Sequence, residues 1–133
     1  MRGTVLTAGL LGACGVGIGA FAAHGLETSL ASQGLAAEEV ADRLRQCDVA
    51  VRYHMFHTLT LLSIGLYRPS LTRCGAAASL FFLAGIGLFS GGLYSMVFFG
   101  KMGHWAIVPL GGLCFIMGWL CTLGLAWDNV RET

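Results

Sequence analysis

Charge is scarce in this sequence: 11% of its 133 residues are Asp, Glu, Lys or Arg, and 56% are hydrophobic. Soluble domains carry roughly 25% charged residues. That shortage excludes an ordinary water-soluble domain and places the chain in a bilayer. The formal net charge of +1 supplies no basic surface for phosphate neutralisation, which excludes nucleic acid as a partner. Cys14, Cys47, Cys74, Cys114 and Cys121 form no Cys-x-x-Cys pair, so neither a zinc knuckle nor a redox dithiol is encoded. Cys14, Cys114 and Cys121 fall in apolar runs, where a thiol serves as a small hydrophobe. No nucleophile motif, carboxylate dyad or cofactor motif stands out. The expectation is a non-enzymatic protein with no cofactor and no metal.

The long uncharged runs are what the sequence does contain. Residues 5–23 lack any charge, and about 19 helical residues at 1.5 Å each nearly span a ~30 Å hydrocarbon core. A cleaved signal peptide is the rival reading, with Arg2 as a minimal basic region and Ala20-Phe21-Ala22 as a cleavage-like site. The run is long for that role and further crossings follow, so an uncleaved first crossing is expected. Residues 75–97 form a third crossing and 106–127 a fourth. The fourth has Trp105 and Trp127 as interfacial anchors, and Pro109 fits best as its first helical residue.

The second crossing is shorter in apolar content. Met55 to Tyr67 reaches only about 20 Å, so the helix must extend back through His57, His54 and Arg52 to give a span of residues 49–67. With Tyr67 at one interface, His57 falls roughly 15 Å deep and Arg52 roughly 22 Å deep, where it snorkels toward headgroups. Before it, Leu35, Val40, Leu44, Cys47 and Val51 recur at helical spacing. They predict an amphipathic loop helix over residues 35–48 that runs into the second crossing. Glu39–Arg43 and Asp48–Arg52 are i, i+4 ion pairs in the favourable order.

The fold class expected is therefore all-α: a single-domain bundle of four transmembrane helices spanning residues 1–133, with one amphipathic helix in its first loop. An even number of crossings puts both termini on one side. Arg2, Arg68 and Arg73 flank crossings tightly, which points to cytoplasmic termini, in the inner or plasma membrane if the source is bacterial.

Small residues make smooth strips that let helices approach closely in lipid. Gly12, Gly15 and Gly19 mark the first helix, Gly87 and Gly91 the third, and Gly111, Gly112 and Gly118 the fourth. Packing within the bundle is the expected use, with homo-oligomerisation or a membrane-protein partner as the alternative, and membrane lipids as neighbours in either case. The topology also brings His24, Arg52, Tyr53, His54, Ser90, Tyr94 and His104 toward one membrane face, with His57 beneath them. His24-Gly25 reads as a helix C-terminus with a left-handed glycine cap. His54 and His57, three residues apart, supply only half a metal site, and no carboxylate falls within the predicted crossings.

Four local patterns together resemble the domain-of-unknown-function 423 family of small membrane proteins, whose animal relatives are called transmembrane protein 256. Residues Gly19-Ala20-Phe21-Ala22-Ala23-His24-Gly25 are similar to the family's Gly-Ala-Phe-Gly-Ala-His-Gly turn. Tyr53-His54-Met55-Phe56-His57 resembles its Tyr-Gln-Met-Tyr-His pattern, departing at His54 and Phe56. Leu88-Phe89-Ser90-Gly91-Gly92-Leu93-Tyr94 and Pro109-Leu110-Gly111-Gly112, with Gly118-Trp119, resemble its later helices. The resemblance implies a four-crossing membrane protein of unestablished role and selects His24, His57, Ser90, Tyr94 and Pro109. Three functions follow as expectations: an accessory or scaffold subunit acting through helix packing, a small transporter or proton-linked channel using His57, or lipid-headgroup binding through Arg52 and His24.

Overall fold

The structure, a computed structural model, describes residues 2–67, 72–100 and 106–130, the last five as backbone. Among these residues the chain is helical throughout, with short turns and no strand. Four helices follow one another: α1 (Arg2–Ala31), α2 (Ala37–Tyr67), α3 (Arg73–Phe99) and α4 (Ile107–Val130). Helices α1 and α3 and the segment Ile107–Leu125 of α4 are long and apolar enough to cross a membrane. Helix α2 does not reach that standard on composition, because its charges run as far as Arg52 and its uncharged stretch is short.

The first helix does not stop at His24-Gly25. It passes through a π turn at Ala22–Leu26 and continues as Glu27–Ala31. Gly25 is not left-handed; the left-handed glycine of this hairpin is Gly34, at φ 74°. The apolar pattern explains the extension. Leu26 and Leu30, one turn apart, are both buried with Val40, Cys47 and Val97, and the extra residue of a π turn re-phases the helix so that its apolar side stays on the core.

Helix α2 is one continuous rod of 31 residues, about 46 Å long, in which the amphipathic segment and the hydrophobic segment are a single element. It begins at Ala37 rather than at residue 35, and Leu35 packs on the core from the turn before it. Both ion pairs expected on this helix are present, Arg43 with Glu39 at 2.8 Å and Arg52 with Asp48.

Arg43 has a second role. Its guanidinium donates to the Val97 carbonyl at 3.2 Å, among the last carbonyls of α3, which have no partner within their own helix. The helix then ends at Gly100, at φ 77°. Arg43→Ala is expected to cost about 1–2 kcal/mol and to loosen the end of α3, read as faster amide exchange at its last turn. At the other end of α3, the Thr72 hydroxyl accepts from the Gly75 amide at 3.2 Å. Helix α4 starts two residues before Pro109. Proline is tolerated there because the first-turn N–H groups lack helical partners.

Helix α1 lies along α2, and α4 lies along the first half of α3. The middle of α2 packs against a second π turn, Ile86–Ser90, and against the end of α3. Two cores result, one around Leu26, Cys47 and Val97 and the other around Ile64, Phe82 and Phe115. The exterior is apolar too: Leu6, Leu10 and Val16 on α1, Leu80 on α3 and Leu113, Ile116 and Leu123 on α4 are all more than half exposed. Such a continuous apolar exterior suits hydrocarbon and not water.

Candidate functional site: a polar interior

His57 is 5% exposed and points into the bundle. Its Nδ1 lies 2.7 Å from the Tyr53 carbonyl, and Trp119 Nε1–H donates to its Nε2 at 3.3 Å. These partners require the neutral ring with its proton on Nδ1. The ring stacks on Phe115 with centroids 3.5 Å apart and planes at 8°, and Phe82 closes a further side at 5.5 Å. Protonating Nε2 would set two N–H donors against each other. His57 is thus the polar pin of an aromatic box that ties α2 to α3 and α4.

His54 sits one turn earlier on another face. Its Nδ1 is 3.2 Å from the Tyr94 hydroxyl, while α1 presents Gly15 and the Leu11 carbonyl to the ring. His54 Nε2, Thr58 Oγ1 and Ser90 Oγ are buried and meet no partner at hydrogen-bonding geometry among the described residues. Each such atom costs about 1–3 kcal/mol when left dry.

The residues expected to gather at one face therefore divide. His54 and Tyr94 meet directly, and Ser90, fully buried, lies one helical turn from Tyr94 in the second π turn. Tyr53 is partly exposed but lays its ring on Phe89 at 4.7 Å and beside His57 at 5.9 Å. Arg52 is outside this group, 65% exposed at its side chain and bound to Asp48, whose carboxyl it holds below the usual carboxylate range by hydrogen bonding. His24 is exposed on α1 and makes no hydrogen bond to the others. His104 lies outside the described residues. Among those residues no group of three His, Cys, Asp or Glu side chains is placed to hold a metal.

The glycines also sort by use. A Cβ on Gly15 would meet the flexible Met55 side chain at 2.6 Å, one on Gly19 would touch Val51 at 3.4 Å, and one on Gly12 would touch Thr58 at 3.8 Å. That strip faces α2. Gly111 carries α4 onto the backbone of α3 at Leu88 and Phe89, Gly118 faces the Phe82 ring at 2.6 Å, and Gly112 touches Phe89 only loosely, at 3.9 Å. Gly87 and Gly91 are corrections to the expected strip: nothing lies near the first, and the second meets only the Ile86 carbonyl of its own helix. Gly85, against Phe115, and Gly92, against Val108 at 3.0 Å, take their places. The π turn between them breaks the ordinary spacing on which the expected strip depended.

Sequence reasoning missed Thr58, Phe82 and Phe115, and met Trp119 only within the Gly118-Trp119 pattern and not as a partner of His57. Two signals were available: Thr58 follows His54 by four residues, and Phe115 and Trp119 share a face of α4 at i, i+4.

An all-helical molecule with an apolar exterior, at least three membrane-length helices and a neutral polar interior defines a small multi-pass membrane protein. The chain belongs to the family described as protein of unknown function (DUF423), whose pattern matches residues 18–112. It is 34% identical to a UPF0382 membrane protein of Haemophilus influenzae, over 88% of this chain and 85% of that protein. It is 38% identical to the UPF0382 membrane protein YwdK of Bacillus subtilis, over 79% of this chain and 80% of the relative. A UPF0382 membrane protein of the yeast Schizosaccharomyces pombe is 30% identical, over 87% and 94%. No solved structure matches the chain.

Proposed function

We propose that this protein is a non-enzymatic accessory or scaffold subunit of four crossings that works by presenting a helix face to another transmembrane helix. In this reading α2 supplies the fourth crossing through residues 49–67, the termini are cytoplasmic, and a bacterial source would place the protein in the inner membrane.

The observation that carries it is the outer face of α1. Gly12, Gly15 and Gly19 are used against α2, yet Gly9, Ala13, Gly17 and Ala20 form a second small-residue strip that stays exposed. Among the described residues no other part of the chain covers it. Small-x-x-x-small strips promote close helix association in lipid, where apolar surface alone gives no drive to associate. His57, which a proton-linked channel would need as its titrating group, has both ring nitrogens occupied and supports a structural role instead. Arg52 is paired with Asp48 and no hydrogen bond or ion pair joins it to His24, so the lipid-headgroup reading has no assembled site behind it.

Cys14 is exposed on the same helix, which makes the test direct. With Cys14 as the only cysteine, oxidative crosslinking in native membranes should give a discrete disulfide adduct with Cys14 of a second copy or with a thiol on a partner helix. Gly17→Leu should reduce its yield several-fold without changing the melting temperature. Native mass spectrometry after gentle extraction then separates a second copy from a different partner. A strictly monomeric protein with no co-purifying partner would overturn the proposal.

A further inference from the structure

The buried polar side chains are of two kinds. His57 is complete: the Tyr53 carbonyl takes one ring nitrogen, the Trp119 N–H takes the other, and aromatic rings fill the remaining sides. His54, Thr58 and Ser90 are not. They are 4%, 3% and 0% exposed, and each carries a buried nitrogen or oxygen without a partner.

The helix contacts bring these groups to one level of the bundle. His54 and Thr58 are a turn apart on the side of α2 that faces Gly15 and Gly12 of α1. Tyr94 joins α3 to His54. Contacts of Tyr53 with Phe89 and of His54 with Tyr94 fix the register of α2 against α3, so Ser90, between Phe89 and Tyr94, stands at the depth of the His54 turn. Ser90 also belongs to a π turn, a geometry often found at functional sites. The groups facing His54 are the Tyr94 hydroxyl from α3 and Gly15 and the Leu11 carbonyl from α1. Among the described residues no hydrogen bond or ion pair brings a carboxylate, arginine or lysine to this group. An ionic guest would have no counter-charge, whereas hydroxyl and imidazole groups together suit a small neutral molecule that both donates and accepts.

We propose that His54, Thr58, Ser90 and Tyr94 form a buried water-binding site between α1, α2 and α3, which makes His54, and not His57, the interior histidine that exchanges protons with solvent. Ordered water that joins otherwise unpaired buried groups is a normal part of protein interiors. At membrane depth it relieves side chains that lipid cannot.

The experiment uses the full chain in lipid nanodiscs with nitrogen-15-labelled histidine. Magnetisation transfer from water to the ring N–H is expected at the signal lost in His54→Gln and not at the signal of His57. Absence of transfer at His54 overturns the proposal. A second measurement reads the sign of a stability change. Thr58→Val and Ser90→Ala remove hydroxyls that hold water, so each should lower the melting temperature by roughly 2–8 °C. Dry, unpaired hydroxyls would give the opposite sign, and a melting temperature unchanged or raised in both variants also overturns the proposal. Should neither variant fold, the transfer measurement on the unaltered chain decides alone.

Discussion

Gly111→Ala is expected to destabilise the protein by about 2–3 kcal/mol, whereas Gly87→Ala should leave it unchanged. Both glycines fall in apolar, small-residue stretches of sequence, and composition does not separate them. A Cβ on Gly111 would overlap the backbone nitrogen of Phe89 and stand 2.8 Å from the Leu88 carbonyl carbon. Backbone inside a helix cannot rotate aside as a side chain does, so α4 must back away from α3 along the contact that also seats Gly118 on Phe82. Lost dispersion contacts follow on both sides. The Cβ on Gly87 meets nothing within 4 Å. Thermal unfolding of the two variants in the same detergent checks the pair. Equal melting temperatures would mean that α3 and α4 do not approach at this point.

The second large effect is expected at His57. His57→Ala removes the ring stacked on Phe115, opens a cavity among Phe82, Phe115 and Trp119, and strands the Trp119 N–H. A loss of about 3–5 kcal/mol is expected, the range for emptying a buried aromatic site. Trp119→Phe keeps most of the packing but leaves His57 Nε2 without its donor, for about 1–2 kcal/mol. In a double-mutant cycle the pair should couple by about 1 kcal/mol or more. Strict additivity would break the assignment of the Trp119–His57 bond. A His57→Ala variant as stable as the parent would remove the box as a structural element.

Much of the architecture was legible in the chain. The uncharged runs mark α1, α3 and α4 because burying charge in hydrocarbon is costly. The amphipathic spacing before Arg52, joined to the short apolar run after it, marks α2 as one rod. Both i, i+4 ion pairs were readable because they are local. The end of α1 was misread, because His24-Gly25 carries a local stop signal that a long-range contact overrides: Leu26 and Leu30 gain burial against Val97, far along the chain. The third-helix strip was misread for a related reason. A π turn has no signature in composition, yet it changes which residues share a face.

The candidate site divides in the same way. Residue type and depth singled out His57 as the polar group of greatest interest. Only packing shows that Phe82, Phe115 and Trp119, from α3 and α4, complete it and use both of its nitrogens. The reverse holds for His54. Its sequence marks it as a departure from the usual pattern, and only the meeting of α1, α2 and α3 leaves it with a partner on one nitrogen and none on the other.

By itself, the sequence determined the solvent, the helical class and the family, because hydropathy, local periodicity and motif order are properties of neighbours along the chain. Tertiary structure alone decided which glycines face backbone, where α1 ends and which histidine is satisfied. Those outcomes depend on distances between residues far apart in sequence, such as 57 and 119 or 89 and 111, which no local pattern sets.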